Sequence, residues 1–527
     1  MILILSVILT ESPIFLFLKG SDIITTIHKG DLTMANPYLP MWEHIPDGEP
    51  RVFGDRIYIY GSHDNADTDE FCDFCLKVWS APVSDPTNWT SHGIAFATRD
   101  FPGHPSDTDW TDGRLFAPDV VEKDGKYYLY AYIQNAPGCV AVADKPEGPF
   151  KLISRYKHNI ENHPDGGIFI DPGTLVDDDG RVYVYCGFLR SYMFEVNPDN
   201  MCEVIDGSFK MDIIPNTAPF YFFEACSPRK INGKYYMIYS SAEPTSQLVY
   251  AVSDSPTGPF EFKGTLIDSG CDYPGGNDHG SVAKVGDQWV VFYHKMTNGS
   301  IMSRVGCVDK LTLNEDGTFT QAEMTSQGFE NILNPYRVTN PQMACVLTNG
   351  ATITERNPFD QCITKITDGA VIGFKYFDFG NHSDSEMKCV IKLDNCYMSG
   401  KVHIFADGVP MDAVKEYARP IFPDEPSADQ KKAAREDSSS KVYGFSGKLL
   451  EQFSSSEYTE KFGLSRNGKE IGCAEFSPDS RVISATVEGL SGKHAIYFLV
   501  EGKYKGWGGH YMDGRNLFDF FGFVFQV

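Results

Sequence analysis

Between Asp47 and Phe292 one short device recurs five times: an acid or histidine, a polar turn, and then a strand of aromatic and β-branched residues. The strands read Arg56-Ile-Tyr-Ile-Tyr60, Lys126-Tyr-Tyr-Leu-Tyr130, Arg181-Val-Tyr-Val-Tyr185, Lys234-Tyr-Tyr-Met-Ile238 and Gln288-Trp-Val-Val-Phe292. Each follows a tight turn: Gly54-Asp55, Asp124-Gly125, Asp179-Gly180, Asn232-Gly233 and Gly286-Asp287. Successive strands begin roughly 50 to 70 residues apart, the period of a multi-stranded propeller blade. A unit of this kind cannot bury its apolar face alone, so five copies must pack against one another. The residues upstream of the turns are Asp47, Asp119, Asp171, Glu224 and His279. If every blade repeats one geometry, these five converge on a common axis.

A second phrase punctuates the same region. Ala143-Asp-Lys-Pro-Glu-Gly-Pro-Phe150 and Ser253-Asp-Ser-Pro-Thr-Gly-Pro-Phe260 are near copies, and Ser80-Ala-Pro-Val-Ser-Asp-Pro-Thr-Asn-Trp89 is a looser one. Proline and glycine make the turn, and the aromatic closes onto the blade. Helical periodicity is scarce, so the expected class is all-β, a five-bladed β-propeller over residues 34–320. Residues 321–340 read as a connector packing back on the propeller. From residue 341 to 527 the texture changes to short alternating strands, among them Val371–Phe379, Cys389–Leu393, Lys401–Phe405, Val482–Val487 and His494–Val500, the pattern of a β-sandwich. Asp424–Lys441 is charged and poor in apolar residues, and reads as an exposed loop.

The chain has 527 residues and a formal net charge of −25, which repels nucleic-acid phosphates and leaves neutral sugars as compatible ligands. Its 27 tyrosines and 37 phenylalanines suit both strands and sugar stacking. The 13 cysteines show no framework spacing, which points to a reducing compartment and a cytoplasmic location, with secretion as the alternative. Cys72-Asp-Phe-Cys75 is the one close pair; no partners for a metal or redox role are evident, so both thiols read as core. The apolar stretch Met1–Leu18 is interrupted by Glu11 and too short to span a bilayer, so no membrane association is expected. Residues 1–33 read as a poorly ordered extension ahead of an initiator at Met34, with a weak signal peptide as the alternative.

Glycoside hydrolysis needs two carboxyl groups flanking the scissile bond, one protonated to assist the leaving group and one ionised. A third acid can hold the donor and tune its ionisation. Six phrases, in order, resemble glycoside hydrolase family 43 over residues 34 to 330. They are Asn36-Pro-Tyr-Leu-Pro40; Asp47-Gly-Glu-Pro-Arg-Val-Phe53 with Ile57-Tyr-Ile-Tyr-Gly-Ser-His-Asp64; Ala117-Pro-Asp-Val120; Ile170-Asp-Pro-Gly-Thr174 with Asp177-Asp-Asp-Gly180; Phe223-Glu-Ala225; and Asn277-Asp-His-Gly-Ser281. The resemblance implies a five-bladed inverting hydrolase without a required cofactor. It implies Asp47 as general base, with Glu49 as a rival because the usual Asp-Pro is here Asp-Gly-Glu-Pro. Asp171 matches the acid that orients the donor and tunes it, and Glu224 the general acid. His279 resembles a histidine near the propeller axis that in some members contacts a structural calcium ion through water; the other reading is a neutral pocket histidine. Arg304 is expected to contact substrate or a catalytic carboxylate. His63, Asp64, Trp79 and Asp119 are candidates for substrate binding. The expected activity is exo-acting α-L-arabinofuranosidase or β-xylosidase on plant-cell-wall oligosaccharides. A binding propeller without catalysis is the alternative. The C-terminal strands are similar to family 6 carbohydrate-binding modules, with Trp507 and Tyr511 as stacking candidates.

Overall fold

The computed structural model describes residues 35–66, 68–134, 138–155, 169–242, 246–410, 463–465, 467–506, 509, 512 and 514–527. The extension 1–33, the Asp424–Lys441 segment, Trp507 and Tyr511 lie outside these residues. Among the described residues the protein is all-β, with one short 3₁₀ turn at Pro341–Met343.

Five four-stranded antiparallel sheets follow one another along the chain, each a simple meander. The first contains β1 (Glu49–Phe53), β2 (Arg56–Tyr60), β3 (Cys75–Pro82) and β4 (Thr90–Ala97). The second contains β5 (Leu115–Lys123), β6 (Lys126–Ile133), β7 (Cys139–Ala143) and β8 (Lys151–Arg155). The third contains β9 (Gly173–Val176), β10 (Val182–Cys186), β11 (Tyr192–Val196) and β12 (Lys210–Met211). The fourth contains β13 (Phe222–Ile231), β14 (Lys234–Ser241), β15 (Gln247–Ser253) and β16 (Glu261–Asp268). The fifth contains β17 (Ser281–Val285), β18 (Gln288–Thr297), β19 (Ser300–Leu313) and β20 (Phe319–Thr320). Every repeated aromatic phrase is the second strand of its sheet. The turns ahead of them need left-handed backbone, as at Asp124-Gly125 (φ 53° and 75°) and Asn232-Gly233 (φ 49° and 78°), which these residue pairs tolerate.

The repeats serve to latch one sheet to the next. The terminal tyrosine of three phrases donates its hydroxyl to a carbonyl of the following sheet: Tyr60 to Pro146 O (2.7 Å), Tyr130 to Met201 O (2.6 Å) and Tyr185 to Pro256 O (2.6 Å). Tyr236 does the same to Gly317 O at 2.6 Å. Pro146 and Pro256 belong to the duplicated Pro-Gly phrases, whose Phe150 and Phe260 are buried between sheets. The fifth sheet returns to the first through β1 and β17, and Asn36 clips the N-terminal segment to β19 through Val308 N and O, both at 2.8 Å.

A buried polar belt ties the innermost strands together. Arg51 on β1 makes a two-pronged ion pair with Asp119 on β5 (2.9 and 2.6 Å) and also donates to Thr174 O on β9 (3.1 Å). Glu49 on β1 accepts from Arg229 and from Ser227 Oγ (2.8 Å) on β13, and Ser227 meets Ser281 of β17 at 2.6 Å. Buried ions of this kind persist because each is paired and hydrogen-bonded.

The remaining strands form two five-stranded sheets. One has the order β21-β24-β29-β26-β27, with β21 at Val346–Leu347, β24 at Val371–Asn381, β26 at Gly400–Pro410, β27 at Asn467–Phe476 and β29 at Ser491–Gly502. The other has the order β22-β23-β30-β25-β28, with β22 at Thr352–Asn357, β23 at Asp360–Thr364, β25 at Glu386–Asp394, β28 at Val482–Glu488 and β30 at Asp519–Gln526. Phe374, Phe498, Phe520 and Phe523 pack between them, and the same apolar core continues into the fourth and fifth sheets at Tyr250 and Tyr293. The segment from 321 to 340 touches both parts: Ser326 O accepts from Asn36 N, while Leu333 and Thr339 bridge to Phe377 and Phe523.

Candidate active site

The loop ahead of β1, the loop ahead of β9, the start of β13 and the loop ahead of β17 open onto one pocket. Asp47, Asp171, Glu224, Asn277, His279 and Arg304 supply its polar lining, and Phe71, Phe116, Ile170 and Phe223 its apolar walls. Asp47 (φ 56°), Asp171 (φ 51°) and Ala225 (φ 68°) all hold left-handed backbone, a conformation that costs energy and concentrates at functional sites. Glu224 sits where the β13–β14 register slips on both sides of it, and such a bulge re-aims a side chain.

Asp47 is held by three residues. Its carboxylate accepts from Ser62 Oγ (2.6 Å) and from Arg304 (2.8 Å), His294 Nδ1 lies 3.4 Å from it, and its own N–H donates to that nitrogen at 3.3 Å. His294 closes the arrangement through Nε2 on Asn277 O at 3.0 Å, which fixes its tautomer. Burial alone would raise Asp47, but the Arg304 guanidinium, with His294 and His279 beside it, holds the carboxyl far below the usual carboxylate range. Arg304 is itself 2% exposed and clamped by Asp64 through Nε (2.8 Å) and a terminal nitrogen (2.9 Å), a planar fork that lysine could not reproduce.

Glu224 experiences the opposite environment. Burial, followed by the negative charge of Asp47, pushes its carboxyl up to about 8. Asp171 is raised as well, by burial first and then by Glu224 and Asp47. At neutral pH the pocket therefore holds one firmly ionised acid together with a protonated site. His279 is kept neutral by burial, lowered to about 4, with Nδ1 3.6 Å from Asp171 and 3.9 Å from Asp47.

Four expected substrate ligands lie elsewhere. Asp119 stands seven residues before Lys126, whereas the other four precede their strands by nine or ten. It therefore falls within β5, pairs with Arg51 and accepts the Thr174 N–H at 2.7 Å; Phe116, ten residues before Lys126, faces the pocket instead. Asp64 sits behind Arg304 and steadies it. His63 turns the other way, between Glu43 (3.0 Å) and Asp73 (3.4 Å). Trp79 is core, its Nε1 donating to Glu43 at 3.0 Å. Glu49 is also out of reach of the pocket, bound in the polar belt, and Arg229 pairs with it rather than with Glu224.

Ser62, Phe223, Ile170 and Asn277 were within the informative phrases, yet their roles were not legible; His294 and Phe71 had no signal beyond their residue type. Two groups of potential metal ligands occur among the described residues, His63 with Asp73 and Cys75, and His403 with Glu470 and Cys473. Around His279 the nearest charged side chains are the carboxylates of Asp171 and Asp47.

Residues 44–319 match glycosyl hydrolases family 43. A protein of Thermoclostridium stercorarium named xylosidase/arabinosidase is 36% identical over 403 residues, covering 65% of this chain and 82% of that relative. An arabinoxylan arabinofuranohydrolase of Paenibacillus polymyxa is 27% identical over 418 residues, 70% of this chain and 65% of the relative. A crystal structure of a Bacillus subtilis family 43 arabinoxylan arabinofuranohydrolase in complex with cellotetraose aligns over 94% of this chain and 99% of its own, with 22% identity and a TM-score of 0.49. With more than half of its length matched to the family, and with three acids gathered in one pocket, this chain is a glycosidase belonging to glycosyl hydrolases family 43.

Proposed function

We propose that the protein is an inverting, exo-acting glycosidase that removes terminal L-arabinofuranosyl or D-xylosyl residues from xylan-type oligosaccharides. In this reading the five four-stranded sheets are the blades of a propeller over residues 34–320. The paired five-stranded sheets form a β-sandwich over residues 341–527. The free state of all thirteen cysteines supports a cytoplasmic location. The names of the relatives support the sugar class. The observation that carries the mechanism is that Asp47, ion-paired to Arg304, and the buried Glu224 line one pocket.

Glu224 donates its proton to the glycosidic oxygen as the bond to the anomeric carbon breaks. Asp47 accepts a proton from the water that attacks that carbon from the opposite face, giving a hemiacetal of inverted configuration and a free alcohol. Both acids then exchange protons with solvent. Asp171 acts on Glu224 as a positioning residue and tunes its ionisation. Arg304 keeps Asp47 ionised, so the base is ready in the resting enzyme. Phe71, Phe116 and Phe223 offer apolar faces to the sugar ring and limit water around the acids.

Two expectations follow from this chemistry. The first concerns pH. Because the folded-state value of Glu224 is raised, its acid form is present below about 8 and is lost as the pH climbs through it. The pH profile of kcat/KM is expected to fall on its basic side near that value, while Asp47 imposes no fall at mildly acidic pH. A basic limb already descending at pH values typical of an ordinary carboxyl group would contradict the assignment. The second concerns stereochemistry: proton NMR of the first product formed from an aryl pentoside is expected to show the inverted anomer, and the retained anomer would rule out a water-activating Asp47.

A further inference from the structure

His63, Asp73 and Cys75 present a ring nitrogen, a carboxylate oxygen and a thiol sulfur, all within 4.8 Å of one another. We propose that these three residues bind a zinc ion, with solvent in the open fourth position. A nitrogen–oxygen–sulfur donor set suits zinc, a borderline-soft tetrahedral ion, and not calcium or magnesium, which take oxygens.

Three observations carry the assignment. The His63 Nδ1 to Asp73 Oδ2 distance is 3.4 Å, long for a hydrogen bond between charged groups. It matches the edge of a tetrahedron with metal–ligand bonds of about 2.0–2.1 Å, which is about 3.3 Å. The second observation is the other ring nitrogen: His63 Nε2 donates to Glu43 at 3.0 Å, the carboxylate partner that a metal-bound histidine characteristically has. Glu43 is fixed in turn by Lys77 (2.9 Å) and by Trp79 Nε1 (3.0 Å). The third is charge: the Asp73 carboxylate and an ionisable Cys75 thiol are together able to offset the two charges of zinc, while Lys77 balances Glu43. The ligands are sequestered: Cys75 is 1% exposed, at the start of β3, and the His63 and Asp73 side chains are mostly buried.

Zinc would staple the segment from His63 to Cys75. That segment carries Phe71, which lines the pocket, Asp64, which forks onto Arg304, and Cys72, whose sulfur lies 3.6 Å from Arg304. The close cysteine pair is thus divided: Cys72 packs against the active-site arginine, and Cys75 faces the histidine. The site acts as a support for the pocket and stands apart from the hydrolytic step.

The test is metal binding by the full-length protein, freed of metal and titrated with Co²⁺ or Zn²⁺ alone. One equivalent of Co²⁺ is expected to produce a thiolate-to-metal charge-transfer band, absent from Cys75→Ser and unchanged in Cys473→Ser, the control for the exposed His403 cluster. Zinc affinity, measured against a chromophoric chelator, is expected to fall by ~10–100-fold in Glu43→Gln and by more in Asp73→Asn. The Asp73 variant keeps shape at a partly exposed position and serves should Cys75→Ser fold poorly. No stoichiometric binding, a band that persists without Cys75, or a band lost with Cys473 would each overturn the proposal.

Discussion

Replacing Glu224 by Gln is expected to lower kcat/KM for an unactivated oligosaccharide by roughly 10²–10⁴, the usual worth of general-acid assistance. The fold should survive, because Gln preserves the shape and the raised proton affinity of Glu224 means that burial already favours an uncharged group there. The loss should depend on the leaving group. A dinitrophenyl glycoside departs without protonation, so the variant should cleave it nearly as well as the wild type does. A disaccharide alkoxide needs the proton and should be almost inert. Equal losses on both substrates would mean that Glu224 does something other than protonate the leaving oxygen. Asp47→Asn behaves differently in this account: no substrate escapes the need for an activated water, so both should be lost together.

Asp119→Ala is expected to destabilise the protein by about 3 kcal/mol, the low end of the cost of removing one member of a buried ion pair, because Arg51 keeps Glu49 at 3.4 Å. Arg51 would lose its two-pronged partner and the Thr174 N–H its acceptor, in the belt joining three inner strands. Denaturant unfolding measures the change directly. Activity per folded molecule should be largely kept, since Asp119 does not line the pocket. A variant of unchanged stability with a sharply raised KM would instead return Asp119 to substrate binding.

The contrast between Asp119 and its four counterparts shows how far the sequence could be read. The second strand of every sheet was legible, because its tyrosines recur for a reason: their hydroxyls latch to the neighbouring sheet. The acids were legible where they stood nine or ten residues before those strands, at the point where the chain enters the sheet. Asp119 broke that spacing by two or three residues, which places its side chain well inside β5, in the polar belt and not in the pocket. His63 and Asp64 adjoin the informative strand β2 in sequence, but the direction in which the chain leaves a strand is set by packing rather than by the strand itself. Their neighbour Phe71 faces the pocket, and nothing local distinguishes an aromatic that stacks on a ligand from one that fills a core. Asp73 and Cys75 posed the same difficulty, because their histidine partner is defined only once the segment between them has folded back.

In the proposed mechanism Asp47 and Glu224 act as a base and an acid on a terminal pentose. The most direct measurement is pentose release from aryl β-D-xyloside and α-L-arabinofuranoside by the wild-type protein and Asp47→Asn, side by side, with folding of both checked by circular dichroism. The prediction is cleavage of at least one substrate by the wild type and its loss, by roughly 10²-fold or more, in the folded variant. Undiminished cleavage by Asp47→Asn, or a folded wild type inert towards both sugars, would contradict it.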